Sequence, residues 1–373
     1  MPPVRSETLT HLDLREVPED ARLYAQPLGL LSGEAARTGI EGGWALPFGG
    51  QQRAYAAAEL WWRGADGVRH IRHTVIPAAE LAAAALRHPG LAGLSERLGA
   101  ASSWPAGLPD RRPLLMGVVN VTPDSFSDGG LFLDREDAIA HGRRLHAEGA
   151  DIVDVGGEST RPRSVAVPVE EEISRVVPVV EALARDGILV SIDTRKAAVM
   201  QAAVDAGARL INDISALRHD PGSLATAGAS GLPVVLMHIQ GEPATMQQDP
   251  QYEHAALDVY DHLDERAHAW TEAGFDRSRL IVDPGIGFGK TLEHNLEILG
   301  RLGLYQTLGL PLLLGVSRKS LIARVAGDPP ASGRLPGSIA AALAGLAQGV
   351  TILRVHDIGA TKQAMMVARA LAT

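Results

Sequence analysis

The chain has 373 residues, a formal net charge of −9 and an apolar content of 46%, as expected for a soluble globular protein with one large α/β domain and a smaller one. The acidic balance argues against a nucleic-acid partner, and the lack of cysteine excludes disulfides, thiolate metal sites and cysteine nucleophiles. The apolar runs fall short of the roughly 18 residues of a membrane span and the N-terminus lacks the apolar core of a signal peptide, so we expect a cytoplasmic protein without a membrane partner.

Residues 1–112 are predicted to form a small α+β domain that carries no constellation of catalytic side chains. His70 and His73 fall in a strand-like run, where exposed or edge positions explain them more simply than metal ligation does. The Gly, Ser and Pro content of residues 99–113 predicts a linker to the rest of the chain. Three strand-like runs and one helix-like run precede this linker, at residues 23–31, 55–62, 69–76 and 78–86.

Residues 113–373 repeat one pattern, in which a short Val, Ile and Leu run is followed by a loop and a helix-like stretch rich in Ala, Glu and Arg. Apolar runs that alternate with helices are typical of parallel strands covered on both faces. Eight such units in about 260 residues predict a (β/α)8 TIM barrel, whose usual length is about 250 residues. A doubly wound open sheet is the competing fold, but no GxGxxG follows the first run. The runs are residues 114–119, 152–155, 188–192, 210–214, 234–237, 280–282, 312–316 and 351–355.

Each of the eight runs is followed by polar residues. The first leads into residues 120–130, which contain an amide, hydroxyls, two carboxylates and an aromatic ring that core packing does not require. The carboxyl ends of barrel strands open on one mouth, and enzymes of this fold react there. We therefore predict an active site at this mouth. The later strand ends carry residues 156–162, 193–196, 212–213, 237–241, 283–291, 315–320 and 354–357.

The ends of the third, fourth, sixth and seventh runs are predicted to line a pocket inside the mouth. Two carboxylates, an amide and an ammonium can pair with a heterocycle that has an amino-pyrimidinone edge and ring nitrogens. Buried together, these groups would be costly without a polar ligand to pair with them. The four residues are Asp193, Asn212, Asp283 and Lys319.

A cationic rim and a metal ion are predicted beside this pocket. Asn120 and Asp128 offer oxygens to a hard divalent cation, and Mg²⁺ typically binds one or two protein oxygens together with substrate phosphates. Arg161, Arg354 and His356 would supply positive charge around a di-anion. The residue pattern therefore predicts a pocket for a polar heterocycle next to a rim for a metal-bound di-anion.

Several of these positions also have purely structural explanations. Asp193 is a candidate cap for the helix after the third strand, and His238 is a candidate core histidine. The glycines of residues 285–289 suit a tight turn, because the loop is not the GxxxxGK[ST] phosphate cradle. Arg195 and Lys196 are expected at the solvated start of a helix.

Eight segments of residues 113–373, in order along the chain, resemble the dihydropteroate synthase family. The resemblance implies the joining of 6-hydroxymethyl-7,8-dihydropterin diphosphate to p-aminobenzoate, which yields 7,8-dihydropteroate and pyrophosphate. It leaves residues 1–112 unassigned. The segments read NVTPDSFSDGG, DVGGESTRP, SIDT, NDIS, LMHIQGEPATMQ, DPGIGFGKT, GVSRKS and RVHD.

The resemblance also implies a role for each matching residue. Mg²⁺ would contact Asn120, helped by Asp128, while Arg354 and His356 would hold the diphosphate. The pocket residues would bind the pterin, with Met237 against its ring. The positions implied to act in catalysis are Asp193, Asp283, Lys319, Arg354 and His356. The positions implied to bind substrate are Asn212, Met237 and Gly315 and, around p-aminobenzoate, Phe126, Thr160, Arg161, Pro162, Phe288 and Ser320.

One residue departs from the family pattern, since Arg163 stands where a glycine usually follows GESTRP. It would restrict closure of this loop or add a cation near the diphosphate. The family is usually dimeric, so a homodimer is expected. A pterin-binding methyltransferase is one alternative, although it has no use for NVTPDSFSDGG. A catalytically silent paralogue that binds pterin is the other, although the loops look intact apart from Arg163.

Overall fold

The computed structural model describes residues 5–50, 53–63, 70–121, 131–160, 164 and 166–371. No helix among these residues is long and apolar enough to cross a membrane. The first elements are β1 (Arg5–Thr8), β2 (Arg22–Ser32), α1 (Gly33–Glu41), β3 (Leu46–Pro47), β4 (Arg53–Arg63), β5 (His70–Pro77), α2 (Ala78–Ala85) and α3 (Pro89–Gly99). The later elements are β6 (Leu114–Asn120), α4 (Leu131–Glu148), β7 (Ile152–Gly156), α5 (Val169–Arg185), β8 (Val190–Asp193), α6 (Ala197–Asp205), β9 (Leu210–Asp213), α7 (Ser223–Ser230), β10 (Val234–Met237), α8 (Ala255–Glu272), β11 (Leu280–Asp283), α9 (Leu292–Leu299), β12 (Leu313–Leu314), α10 (Ser320–Val325), α11 (Leu335–Ala347), β13 (Ile352–Val355) and α12 (Ile358–Leu371).

The strands from β6 to β13 form the predicted parallel barrel. They lie in the order β11, β10, β9, β8, β7, β6, β13 and β12, and a parallel bridge between Val282 and Leu312 joins the two ends of this series. Helices connect consecutive strands and form the outer ring, as in other barrels of this kind. The TIM-barrel prediction is therefore confirmed, and the open doubly wound sheet is excluded because its outer strands would not meet.

An apolar layer fills the amino-terminal half of the barrel interior. Alternate side chains of each strand point inward, and those nearest the strand starts pack as one cluster. Leu108 belongs to this cluster and Trp104 packs against it, so the stretch predicted as a linker closes this end of the barrel. The strand residues of the layer are Leu114, Met116, Ile152, Leu210, Val235, Ile281, Leu313 and Ile352.

The N-terminal sheet has β4 between β2 and β5, both antiparallel to it, with β1 parallel to β5. Helices α2 and α3 share an apolar cluster with this sheet, in which Leu81 and Leu94 lie against Tyr55 and Ile76. Since β5 is an interior strand and His73 is half-buried, the exposed or edge position expected for this histidine is wrong.

The N-terminal sheet also packs against the outside of the barrel. Tyr24, Trp61 and Ile71 belong to the same apolar cluster as the barrel strands and helices. The hydroxyl of Tyr24 donates to Asp261 of α8 at 2.8 Å, and Arg63 pairs with the same carboxylate at 2.8 Å. Apolar contacts therefore cross the boundary after residue 112. The predicted division of the chain into two domains at this point stays a prediction.

Candidate active site

A ring of mainly polar side chains lies above the apolar layer, toward the carboxyl ends of the strands. Inward positions recur at every second residue of a strand, so Ile152 is followed by Asp154 and Ile281 by Asp283. One step higher, Asp193 is the register partner of both Gly156 and Asn212 on the neighbouring strands. The ring comprises Asp154, Ser191, Asn212, Met237, Asp283, Gly315 and Arg354.

Arg354 connects two carboxylates inside the barrel. Its Nε donates to Oδ2 of Asp154 at 2.7 Å, and its Nη2 donates to Oδ2 of Asp193, also at 2.7 Å. The side-chain amide of Asn212 donates to the same Asp154 oxygen at 3.0 Å. Asp154 is fully buried, and its Oδ1 has no hydrogen-bond partner among the described residues. Buried oxygens are nearly always paired in folded proteins, so this one is suited to a ligand that donates a hydrogen bond.

Asp283 and Lys319 face the same space from the far side of the barrel. A Cβ atom added to Gly315 would lie 3.9 Å from Oδ2 of Asp283, from Nζ of Lys319 and from Cβ of Arg354. The Lys319 ammonium is also 4.7 Å from the centroid of the Phe288 ring. The absence of a side chain at Gly315 therefore leaves room where three charged residues converge.

Burial controls the charge states of these groups. It raises the pKa of Asp193, with Arg354 opposing the shift, and that of Asp283, with Lys319 opposing it. Burial lowers the pKa of Lys319 to about 8, although Asp283 opposes this change. The pKa of Arg354 rises despite burial, because Asp154 and Asp193 are so close. A polar ligand that pairs with these groups would offset their desolvation.

His356 lies near this site as a neutral imidazole. Burial, together with the positive charges of Arg354 and Arg318, lowers the pKa of His356 to about 4. Its Nδ1 is 3.1 Å from the Ser317 hydroxyl, which also accepts its backbone N–H at 3.2 Å. The arrangement differs from the expected cationic rim, since Arg354 is paired inside the barrel and His356 is uncharged at pH 7.

The mouth of the barrel holds other predicted residues. Asn120 ends β6 and is half-buried, and Thr160 is half-buried in the loop after β7. Ser320 is exposed at the first position of α10. Four predicted site residues lie outside the described part of the chain: Phe126, Asp128, Arg161 and Pro162.

The glycine-rich loop after β11 is a tight turn built on a buried lysine. Gly285 and Gly289 have φ angles of 66° and 61°, and a Cβ on Gly285 would lie 1.9 Å from the His238 carbonyl oxygen. Below the loop, the Lys290 ammonium donates to the carbonyls of Gly285 and Phe288 at 2.8 and 3.0 Å and contacts Nδ1 of His238 at 2.9 Å. These contacts favour the tight turn over a phosphate cradle, and they place His238 in the core.

The solvated position expected for Arg195 and Lys196 is wrong. As whole residues they are only 9% and 8% exposed, and both pair with Glu158 in the loop after β7. Asp193 does not cap the following helix, because the first backbone N–H of α6 donates to Asp220 at 2.8 Å. The Asp193 carboxylate instead accepts a hydrogen bond from Arg354 in the pocket.

The structure adds Asp154 and Ser317 to the predicted site. A carboxylate in the middle of the apolar run 152–155 is a signal that identifies Asp154, because an ionised side chain in a buried strand requires a partner. Ser317 carries no comparable signal, since a serine at the end of a strand has many uses.

Comparisons with known proteins agree with this geometry. A family model described as pterin binding enzyme matches residues 116–356. The dihydropteroate synthase of Escherichia coli (strain K12) is 47% identical over 259 residues, which span 69% of this chain and 91% of the relative. A structure of Xanthomonas albilineans dihydropteroate synthase with 4-aminobenzoic acid is 48% identical, with a TM-score of 0.66, and covers 70% of this chain and 93% of that chain. Another, in complex with 7,8-dihydropteroate, is 46% identical, with a TM-score of 0.65, and covers 71% and 95%. The chain therefore belongs to the dihydropteroate synthase family of pterin-binding enzymes.

Proposed function

We propose that this chain joins 6-hydroxymethyl-7,8-dihydropterin diphosphate to p-aminobenzoate, giving 7,8-dihydropteroate and pyrophosphate. The observation that carries the proposal is the ring of carboxylates, amide and guanidinium above the apolar layer of the barrel, together with the Lys319 ammonium that faces it. The two Xanthomonas albilineans structures that contain 4-aminobenzoic acid and 7,8-dihydropteroate support the choice of substrates.

The pterin would lie among the ring residues and pair with them. Carboxylate oxygens accept from the N–H groups of its amino-pyrimidinone edge, and the unpaired Oδ1 of Asp154 is one such acceptor. Lys319 and Asn212 carry N–H donors for its carbonyl and ring nitrogens. Met237, which is buried beside the glycine-rich loop, offers an apolar surface to the ring.

The reaction breaks the C–O bond between the pterin methylene and the diphosphate. It forms a C–N bond to the aniline nitrogen of p-aminobenzoate, which then loses a proton. Positive charge develops on the pterin as the diphosphate departs, and the carboxylates of Asp193 and Asp283 are placed to stabilise it. No side-chain nucleophile is required, in keeping with the absence of cysteine.

We also propose that Mg²⁺ binds together with the diphosphate. The amide oxygen of Asn120 is a hard donor of the kind that Mg²⁺ prefers. The described residues contain no group of three or more side chains that could hold a metal, so the ion would take most of its ligands from the diphosphate and water. Asp128 stays a predicted second ligand. When bound, Mg²⁺ would neutralise charge on the leaving group.

A turnover assay tests this function directly. The purified chain, Mg²⁺, the pterin diphosphate and p-aminobenzoate should give equal amounts of dihydropteroate and pyrophosphate, measured by chromatography and a coupled pyrophosphate assay. Removal of Mg²⁺ with a chelator should abolish both products. A chain that binds the pterin and releases no dihydropteroate would instead be a silent paralogue.

We further propose a cytoplasmic homodimer. Exposed apolar side chains lie on α10 and α12, where Val325, Met366 and Val367 are 62%, 65% and 57% exposed, and such a dimer would cover them. A cysteine-free chain suits a reducing compartment. Analytical ultracentrifugation should give about twice the monomer mass of 39.4 kDa, whereas a single species of the monomer mass would contradict the dimer.

A further inference from the structure

A buried group of charged side chains lies beside the active site, and the proposed reaction does not use it. We call it the Lys196 cluster. The side chain of Glu172 is 1% exposed, that of Glu158 is 7% exposed and that of Lys196 is 10% exposed. Charges so deeply buried are destabilising unless each is well paired. The cluster comprises Glu158, Glu172, Thr194, Arg195 and Lys196.

The Lys196 ammonium donates three hydrogen bonds at this cluster. It donates to one carboxylate oxygen of Glu158 and one of Glu172, each at 2.6 Å, and to the backbone carbonyl of Val167 at 2.5 Å. These three bonds account for its three protons. The backbone N–H of Val167 donates to the same Glu158 oxygen at 3.0 Å. Both ends of segment 158–167 therefore meet at one ammonium.

Arg195 holds the other side of Glu158. Its Nε donates to the second carboxylate oxygen at 3.0 Å, and its Nη1 donates to Glu242 in the loop after β10 at 2.5 Å. Although burial opposes the shift, the bonds from Lys196 and Val167 hold the pKa of Glu158 below its ordinary value. Glu158 is therefore an ionised anchor with both oxygens occupied.

The cluster connects the pterin pocket with the p-aminobenzoate side of the mouth. Lys196 lies three residues after Asp193, which Arg354 holds in the pocket. Glu158 lies two residues before Thr160, which is one of the residues implied to contact p-aminobenzoate. A change in the bonds of Lys196 would thus reach Thr160 through a stretch of only two residues beyond Glu158.

We propose that Lys196 is a positioning residue for p-aminobenzoate. By holding Glu158 and Val167 together, it determines where Thr160 stands at the mouth of the barrel. This inference rests on the proposed function, since it concerns the second substrate of that reaction. It assigns no contact between Lys196 and either substrate.

Two matched variants separate positioning from stability. Glu158→Gln and Glu172→Gln each remove the charge of one carboxylate on the same ammonium, but only Glu158 belongs to the segment. Both should lower the melting temperature. A misplacement of about 1 Å caused by a distant mutation can cost on the order of a hundredfold, so Glu158→Gln should raise KM for p-aminobenzoate about tenfold to a hundredfold, with an unchanged Kd for the pterin diphosphate. Glu172→Gln should leave both constants near the wild-type values.

A substitution of the lysine itself completes the test. Lys196→Met should raise KM for p-aminobenzoate as Glu158→Gln does, and the double variant should show little additional change because both act through one contact. Lys362→Met, an exposed lysine of α12, is the matched control and should behave as wild type. Retained pterin affinity shows that each variant is folded.

Equal increases in KM for Glu158→Gln and Glu172→Gln would overturn the inference, as would an unchanged KM in folded Lys196→Met. Failure of the proposed function is a separate result. Calorimetric titration of p-aminobenzoate into protein loaded with 6-hydroxymethyl-7,8-dihydropterin, which has no diphosphate to lose, measures the same positioning effect without turnover. A wild type that binds both ligands and forms no product would therefore refute the function alone, while the variants still decide the role of Lys196.

Discussion

At the centre of the barrel, one oxygen of Asp154 accepts hydrogen bonds from both Arg354 and Asn212. Asp154→Asn removes the negative charge beside Arg354. It also places a second side-chain amide next to the amide of Asn212, which donates to Asp154 in the wild type. Loss of one partner of a buried ion pair costs about 3–5 kcal/mol. Arg354 would keep its pair with Asp193 and is partly exposed, which reduces this cost. We therefore expect the free energy of unfolding to fall by about 2 kcal/mol. Urea denaturation measures this loss, and calorimetry should show weaker binding of the pterin.

The matched control is Asp205→Asn, which changes an exposed carboxylate on α6. It should leave the free energy of unfolding and the pterin affinity near the wild-type values. If Asp154→Asn behaved in the same way, its carboxylate would have no role in holding Arg354.

Lys319 should make pterin binding depend on pH. Burial lowers its pKa to about 8 in the folded chain, whereas an unfolded lysine titrates near 10.4. Between these values the unfolded chain binds the additional proton, so this group increases folding stability as the pH rises. Ligand binding should have the opposite dependence, because the ammonium donor is lost. We expect Kd for the pterin to be constant below pH 7 and to increase as the pH passes 8.

Comparison with Lys319→Arg isolates this effect, since a guanidinium remains charged over the whole range. Any titration of the pterin itself would appear in both proteins, so the difference between the two Kd profiles reports the lysine. Identical profiles from pH 6.5 to 9.5 would contradict the assignment.

At the scale of elements, the glycine-rich loop depends on close backbone packing as well as on positive φ. Gly285 and Gly231 have similar φ angles of 66° and 73°, but a Cβ on Gly285 would lie 1.9 Å from the His238 carbonyl oxygen and one on Gly231 would meet nothing within 4 Å. Gly231→Ala should therefore cost only the left-handed backbone penalty of about 1–2 kcal/mol. Gly285→Ala should cost about 1–3 kcal/mol more because of overpacking.

Thermal denaturation of the two variants tests this difference, and equal losses of stability would contradict it. Activity provides a second measurement. A displaced Gly285 would move the turn that carries Phe288 and faces Lys319, so Gly285→Ala should also weaken substrate binding. Gly231→Ala lies at the end of α7 and should not.

Hydrophobic periodicity located the eight barrel strands, the three long N-terminal strands and one early helix to within two residues. Long runs such as β6 and β4 bury many apolar side chains, which makes their pattern clear. The short strand β12 extends over only Leu313–Leu314 within the predicted run 312–316, and Leu312 adds a single parallel bridge to Val282. Elements β1, β3, α1 and α3 were not predicted. The strands β1 and β3 are only four and two residues long, whereas the buried residues Leu91, Leu94 and Leu98 of α3 do have a helical spacing that was missed.

At the scale of the whole molecule, Asp261 of α8 joins the N-terminal sheet to the barrel. Its carboxylate accepts from Tyr24 at 2.8 Å and pairs with Arg22 and Arg63 at 2.6 and 2.8 Å. Asp261→Ala would leave these groups without their shared acceptor, at a cost of about 2 kcal/mol because the pairs are partly exposed. Glu265→Ala, an exposed position on the same helix, should be neutral.

Urea denaturation compares the two variants, and the pterin Kd should be unchanged in both because the interface lies outside the barrel. A neutral Asp261→Ala would show that the N-terminal sheet is held by apolar contacts alone. A weaker pterin Kd would show that the N-terminal region acts on the site itself.

The sequence alone determined the repeated strand and helix units, the mouth at which polar residues gather and the segments that indicate the family. These features are local, because an apolar run and the residues after it are contiguous in the chain. Only the tertiary structure decided which charges meet. Arg354 and Asp154 are 200 positions apart and pair because β13 and β7 share the barrel interior. Lys196, expected in solvent, is buried because three acceptors from Glu158, Val167 and Glu172 converge on it. Such convergence follows from closure of the barrel and leaves no periodic signal in the sequence.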